Sequence, residues 1–443
     1  MQGPVHRTGM TRTSGSRREV GMRSGHGAPR LRKRRRWVLA LVLLVIGVSV
    51  CAGLAPRLWP RRSLQDPKRL GLLQSAYLEF DAKRYDRARA ILDRRATEIP
   101  PTPLDWMLRA RIAEAQGHLA EALDHLRRIP DSDPIAAQAW LKAGQIELAR
   151  HQARAAEAAY RHALALNPDQ IQAHRELAYL YAVQRRKAEC DAEFRALVRL
   201  MPLDYTLAFA WCQNYCDLWD VPGARKVLIP FVAADPTDRT SRLALATSYA
   251  LAGRLDEAED ALRPLPDSDP DARALRVQLA VDRGDLEAAE TLVRDGPADH
   301  ARLNYFRGRL ALQGNDSRRA AASFRAALRR DPEDRDARYG LGVALRSLGD
   351  PKAGDFLRMA SLHDQLKRTI KESVTTIETD RKLFDKLGEI CESLGRGQEA
   401  RVWYQVALGR DPLDTQAHQA LARLDQLGIE KVNESASKPG MTN

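Results

Sequence analysis

The 443-residue sequence contains no G-x-x-x-x-G-K-[ST] run and no H-E-x-x-H pair, so it offers neither a phosphate-cradling loop nor a zinc-protease helix. Gly340-Leu341-Gly342 follows no strand-like segment, which excludes a dinucleotide fingerprint. The five cysteines include no C-x-x-C pair, so a zinc-ribbon framework is absent. His118, His125, His151 and His162 are scattered over turns and faces and converge with no cysteine or carboxylate set. No catalytic residue, metal or cofactor is therefore expected, and the chain is not expected to be an enzyme. Aromatic residues are sparse at 6%, and the dominance of Ala, Leu, Arg, Asp and Glu favours helix over sheet.

A surplus of charge is also missing from most of the chain. The formal net charge is +13, but residues 1–36 hold eleven Arg and Lys against the single acid Glu19. From Ser63 onward there are 57 basic and 57 acidic residues. A neutral body has no general attraction for polyphosphate, so no nucleic-acid partner is expected. The basic end has another reading. "RLRKRRR" (Arg30–Arg36) runs directly into "WVLALVLLVIGVSVCAGLA" (Trp37–Ala55), a stretch without a single charge. As a helix it would be about 28 Å long, close to the thickness of a bilayer's hydrocarbon core. Trp37 and Trp59 stand where an interfacial aromatic belt would place them. Val50 before Cys51 spoils a lipobox, and Pro56 spoils a cleavage site after Ala55, so an uncleaved single-pass anchor is expected. The heavier basic flank precedes the segment, which puts the N-terminus in the cytoplasm and the remainder outside it, in the periplasm if the cell is bacterial. The basic tail would then face anionic lipid.

What is abundant is a period. Pro100, Pro134, Pro168, Pro202, Pro236 and Pro270 each follow the last by 34 residues. Twelve residues before each proline stands a small residue: Ala88, Ala122, Ala156, Cys190, Ala224 and Ala258. Glycine recurs five before that position at Gly117 and Gly253, and an aromatic sixteen before it at Trp106 and Trp140. Such a period belongs to a stacked array, each unit burying its apolar face on its neighbours. Each unit reads as two helices. Trp140, Ala143, Gly144 and Leu148 share one helical face, and Ala156, Tyr160 and Ala163 share a second. Gly144 is expected to face Ala156 where the two helices cross, and Pro168 stops the second helix.

The 34-residue unit with an early aromatic, Leu-Gly, Tyr, Ala, Phe, Ala and a terminal Pro resembles the tetratricopeptide repeat. Residues 169–202 supply Leu177, Ala178, Tyr181, Phe194 and Pro202. Residues 299–332 supply Tyr305, Gly308, Ala320, Phe324, Ala327 and Pro332. Residues 379–412 supply Leu387, Gly388, Gly395, Ala400, Tyr404, Ala407 and Pro412. The resemblance covers roughly residues 68–427. It implies an all-α fold: a right-handed superhelical solenoid of about nine helix pairs, with one N-terminal transmembrane helix in front. The expected layout is a basic disordered tail (1–36), the anchor (37–55), a linker (56–67), six regular units (68–270) and an irregular block (271–412). A capping helix (413–428) and a disordered tail (429–443) complete it. The clock fails after Pro270: the step to Pro332 is two repeats less six residues, and the step to Pro412 is two repeats plus twelve. The surplus lies around His363–Thr379, whose first half is suited to lengthening a helix.

The resemblance also implies a concave groove that holds a protein or peptide, lined by a stripe of first-helix residues. Carried onto this sequence the stripe gives Gln145, Gln172, Arg175, Tyr179, Phe209, Gln213, Thr247, Tyr305 and Arg309, with Leu141, Cys216, Thr240 and Leu243 alongside. Leu141 and Gln145 stand where the family's carboxylate-clamp Lys and Asn would be, so that ligand class is not expected. Phe209 and Trp219 are the candidates for exposed aromatics. Cys190, Cys212 and Cys391 fall on core positions, where a small buried hydrophobe is the ordinary expectation; outside the cytoplasm a Cys190–Cys212 bridge is the alternative. The function implied is a membrane-anchored scaffold that recruits a protein or assembles an envelope complex. The alternatives are an ancillary factor in secretion or cytochrome assembly, and a regulatory subunit of an enzyme complex such as polysaccharide synthesis.

Overall fold

A computed structural model describes residues 67–201, 204–218, 220–376, 380 and 382–437. The expected tail and anchor, the linker up to residue 66, Pro202 and Trp219 lie outside the described residues. Among those described there are twenty-one helices and no strand. They are α1 (Pro67–Asp81), α2 (Tyr85–Glu98), α3 (Pro103–Ala115), α4 (Leu119–Leu126), α5 (Ala136–Ala149), α6 (Ala153–Leu166), α7 (Ile171–Val183), α8 (Lys187–Leu200), α9 (Tyr205–Tyr215), α10 (Val221–Ala234) and α11 (Arg239–Ala250). Then come α12 (Leu255–Leu262), α13 (Pro270–Arg283), α14 (Leu286–Arg294), α15 (Ala301–Gln313), α16 (Ser317–Arg330), α17 (Arg335–Ser347), α18 (Ala353–Thr376), α19 (Leu383–Ser393), α20 (Gly397–Arg410) and α21 (Thr415–Ser437).

The period has a local cause at each end of a unit. Pro100, Pro168, Pro236, Pro332 and Pro412 each stand two residues beyond a helix end, where a missing N–H and a fixed φ prevent continuation. After Pro236, Pro332 and Pro412 an Asp two residues further on then caps the next helix. Asp238 accepts from the backbone N–H groups of Thr240 and Ser241, Asp334 from those of Asp336 and Ala337, and Asp414 from those of Gln416 and Ala417. These carboxylates satisfy donors that the first helical turn leaves without partners. Pro134 and Pro270 depart from this pattern: Pro134 stands eight residues past the end of α4, and Pro270 opens α13 behind its cap Asp269. Within each unit the two helices join at a left-handed residue, glycine at 117, 253, 284, 349 and 395 and another residue at 83, 151, 185, 217 and 315.

Packing follows the small positions. Ala88, Ala122, Ala156, Cys190 and Ala258 are all buried where paired helices cross. Gly144 faces Tyr160 rather than Ala156: a β-carbon there would come 2.4 Å from the Tyr160 ring. Gly388 seats Tyr404 in the same way, and Phe324 is seated by both Gly308 and Gly340. Glycine in these helices is thus a socket for the aromatic ring of the second helix, a large side chain filling a deliberately empty place.

One helix pair does not form. α9 follows α8 in the stack, but α10 leaves it and packs instead against α7 and α11. Leu228 and Phe231 of α10 bury against Leu180 and Val183 of α7, and Arg154 binds Asp235 at 2.7 Å and Thr237 at 2.7 Å beyond the end of α10. Ala224, at the small position of this unit, is accordingly only partly buried. The face of α9 left free is covered by α18, α19 and α20. A single core joins Trp211, Cys212 and Tyr215 to Leu366, Ile370, Phe384, Cys391, Trp403 and Tyr404. The register break thus lies between α9 and α10, ahead of Pro270. The surplus before Pro412 goes largely into the 24-residue helix α18. Its first half pairs with α17 and its second half reaches α9, where Ser373 hydrogen-bonds Tyr205 at 3.2 Å. The described helices thus follow one another as ten successive couples, of which nine pack as pairs, and the closing helix runs to Ser437, past the boundary expected at Gly428.

Candidate functional site

The expected binding stripe is partly assembled. Gln172, Arg175 and Tyr179 lie along one face of α7, each half-buried. Gln145 of α5 donates to Glu176 at 3.2 Å and Gln172 donates to the same carboxylate at 2.8 Å, so a shared acceptor bridges two successive units. Among the described residues the Arg175 guanidinium reaches no carboxylate; it rests on the Met201 sulfur at 3.4 Å. Tyr179 packs beside Leu228 and Phe231 in the core formed with α10, and burial raises its phenol above the ordinary value. The two amides share one carboxylate oxygen and the guanidinium holds a sulfur, so each has donor capacity left for an extended peptide backbone.

Further along, the stripe dissolves. Phe209 is only 6% exposed and stacks on Tyr205 with ring centroids 5.3 Å apart, so it is core rather than an exposed aromatic. The C-terminal helices cover that face of α9. Gln213 is half-buried on the same helix. Leu141 and Cys216 are buried. Thr247 turns its hydroxyl onto the Leu243 carbonyl at 2.8 Å. Tyr305 is buried against Phe306 and lies under the Arg302 guanidinium at 4.3 Å. Arg309 is exposed. The structure groups Gln145, Gln172, Arg175 and Tyr179, and leaves Thr247, Tyr305 and Arg309 on other units.

A second polar assembly, not foreseen from the sequence, sits where the C-terminal helices meet α9. Arg396, buried at the start of α20, binds Glu399, reaches Glu333 at 2.8 Å and Asp191 at 3.2 Å, and lies 3.7 Å over the Tyr215 ring. Asp191 also accepts from the Trp211 indole at 2.6 Å. One guanidinium thus joins α8, α9, the turn before α17, and α20. Burial alone would lower the Arg396 pKa, but the surrounding carboxylates hold it above the ordinary value. Burial raises Glu399 despite the pull of Arg396. His363 of α18 stacks near Tyr215 at 4.9 Å, and burial together with Lys187 brings it down to about 4, so it is neutral at physiological pH. The only early sign of this assembly was an acid, Glu399, next to the small core position Ala400.

The four described cysteines are free and buried. Cys190 donates to the Ala178 carbonyl at 3.4 Å. Cys212 faces Cys216 and Cys391 instead, so the Cys190–Cys212 bridge is not formed.

Three stretches, residues 107–152, 209–273 and 305–360, match the family described as tetratricopeptide repeat. These stretches carry the tetratricopeptide-repeat signature. The match agrees with the 34-residue clock, the glycine sockets and the paired helices. A stretch of 191 residues, 41% of this chain, is 30% identical to the cellulose synthase operon protein C of Xanthomonas axonopodis pv. citri (strain 306). The chain spans only 13% of that protein's length. Among solved structures, a tetratricopeptide repeat protein from Parabacteroides merdae is similar at 18% identity and a TM-score of 0.30, over 55% of this chain and 98% of its own. The C-terminal part of a repeat protein from Cytophaga hutchinsonii is similar at 14% identity and a TM-score of 0.29, over 61% and 99%. Among the described residues no helix is long and apolar enough to cross a membrane.

Proposed function

We propose that this tetratricopeptide chain is a non-catalytic scaffold that holds a protein or peptide partner along the α5–α7 row. The observation that carries this reading is the set Gln145, Gln172 and Arg175, half-buried and satisfied by a shared carboxylate or a sulfur rather than by dedicated ion pairs. Side-chain amides can exchange such bonds for those of an extended backbone, while Tyr179 supplies an apolar wall. The charge-free stretch Trp37–Ala55 behind its basic cluster supports a single-pass anchor with the repeats on the extracytoplasmic side. Cross-linking in intact membranes, followed by affinity purification, tests the row. Arg175→Glu with Tyr179→Ala should lose the partners that the wild-type chain retains, and an unchanged set of partners defeats the proposal.

One observation favours a narrower reading within the same scaffold. The relative with 191 aligned residues is named for a cellulose synthase operon, which supports a role as the non-catalytic subunit of a polysaccharide-synthesis complex in the cell envelope. Recovery of a glycosyltransferase in the cross-linked set would favour it. A set free of such enzymes would leave the general scaffold and remove this narrower form.

A further inference from the structure

The joint between α9 and the C-terminal helices contains a group of atoms that the scaffold reading does not use. Cys212 Sγ, Cys391 Sγ and a carboxylate oxygen of Glu399 all lie within 4.8 Å of one another. All three residues are buried, none more than 1% exposed. The Cys212 thiol also faces that of Cys216, one helical turn further along. Glu399 gives one oxygen, Oε2, to Arg396, while Oε1 is buried with no hydrogen-bond partner. An orphaned buried carboxylate oxygen is costly, and here it stands beside two thiols that come from helices almost 180 residues apart in sequence.

We propose that Cys212, Cys391 and Glu399 bind a thiophilic divalent cation of the zinc type. Zinc bonded to sulfur at about 2.3 Å in a tetrahedron holds its ligands about 3.8 Å apart. The observed group, within 4.8 Å, stands roughly an ångström at most from that spacing. Two thiolates and a carboxylate suit zinc and exclude magnesium and calcium, which take oxygen ligands. The outer shell is already built. Arg396 holds the far oxygen of Glu399 and is itself held by Asp191 and Glu333, the arrangement by which a neighbouring group orients a metal-bound carboxylate. Binding releases the two thiol protons to solvent and leaves two thiolates and one carboxylate around the dication, next to the Arg396 charge. The metal ties α9 to α19 and α20, and so closes the fold-back that replaces the missing α9–α10 pair.

The test uses the full chain, purified with reductant, stripped with chelator and titrated with Zn2+ and then Co2+. The wild type should bind one Zn2+ per chain and, with Co2+, should show thiolate-to-metal charge-transfer absorption. Cys391→Ser and Glu399→Gln should each lose at least tenfold in Zn2+ affinity, while Cys190→Ser, outside the cluster, should bind as the wild type does. The Co2+ spectrum decides the matter on wild-type protein even where a cysteine variant fails to fold. The proposal is overturned by wild-type chain that binds no Zn2+ above the Cys391→Ser level, by Co2+ binding without thiolate absorption, or by a Cys212–Cys391 disulfide in protein isolated without reductant.

Discussion

Replacing Arg396 by Met probes the joint at its most constrained point. Arg396 is 9% exposed as a residue and holds three carboxylates of very different exposure. Glu333 has a side chain 51% exposed, so its loss costs little. Asp191 keeps the Trp211 indole and the Arg195 guanidinium at 2.7 Å. Glu399, with a side chain 1% exposed, keeps no other cation, and it dominates the cost. Removing one member of a buried pair costs about 3–5 kcal/mol because the other charge is left without compensation. A repeat array does not unfold in one step, so a single melting temperature is the wrong readout. Native-state hydrogen exchange with chelator present is the right one. Amides in α9, α19 and α20 should open roughly a hundred- to several-thousand-fold more often, the factor corresponding to about 3–5 kcal/mol. Amides in α1–α4, far along the stack, should not change. The double variant Arg396→Met with Glu399→Leu should recover most of the loss, since no buried charge then remains. A loss below about 1 kcal/mol, or equal loss in α1–α4, refutes the reasoning.

Three further outcomes follow from other positions. Gly340→Ala places a β-carbon 2.4 Å from the Phe324 ring, which Gly308 blocks on its other side; overpacking should outweigh the helix-propensity gain and cost about 1–2 kcal/mol, and hydrogen exchange in α15–α17 that is unchanged or slower contradicts the socket. Burial and the neighbouring charge of Asp414 raise Asp385 to about 6, with Lys382 pulling the other way. The folded chain therefore keeps a proton that the unfolded chain releases near 4, so stability should fall between about pH 4 and pH 6, by up to about 3 kcal/mol. Asp385→Asn should remove that slope and stabilise the chain above pH 6 in urea titrations, and an unchanged slope counts against the assignment. Arg95→Ala strips the partner, at 2.8 Å, from buried Asp105 and should cost about 3–5 kcal/mol, read as protease sensitivity confined to α1–α4; resistance equal to wild type refutes it.

The parts of this structure that are local were legible in the sequence. Pro100, Pro168, Pro236, Pro332 and Pro412 report helix ends, Ala88, Ala122, Ala156, Cys190 and Ala258 report crossings, and Gly117 and Gly253 report left-handed turns. The periodic pattern could not show where one unit docks on a distant one. The proline clock runs unbroken through Pro236 and Pro270, yet the stack parts between α9 and α10, because a turn signal records chain direction and not the face a helix will cover. Phe209 was expected on the surface for the same reason: its periodic position is open in a continuous array and closed once the C-terminal helices return. Arg396 and its carboxylates come from three separate segments, and no spacing rule joins residues 191, 333 and 399.

The return of the C-terminal helices to α9 is the claim on which the joint, the buried arginine and the metal site all rest. Lys187 of α8 and Lys367 of α18 are 180 residues apart, and both charges act on Asp217 and His363. Lysine-directed cross-linking of the full chain, read by mass spectrometry at dilution that excludes links between molecules, should recover a Lys187–Lys367 link. Links confined to neighbouring units, with Lys187 never joined to Lys367, would contradict the fold-back.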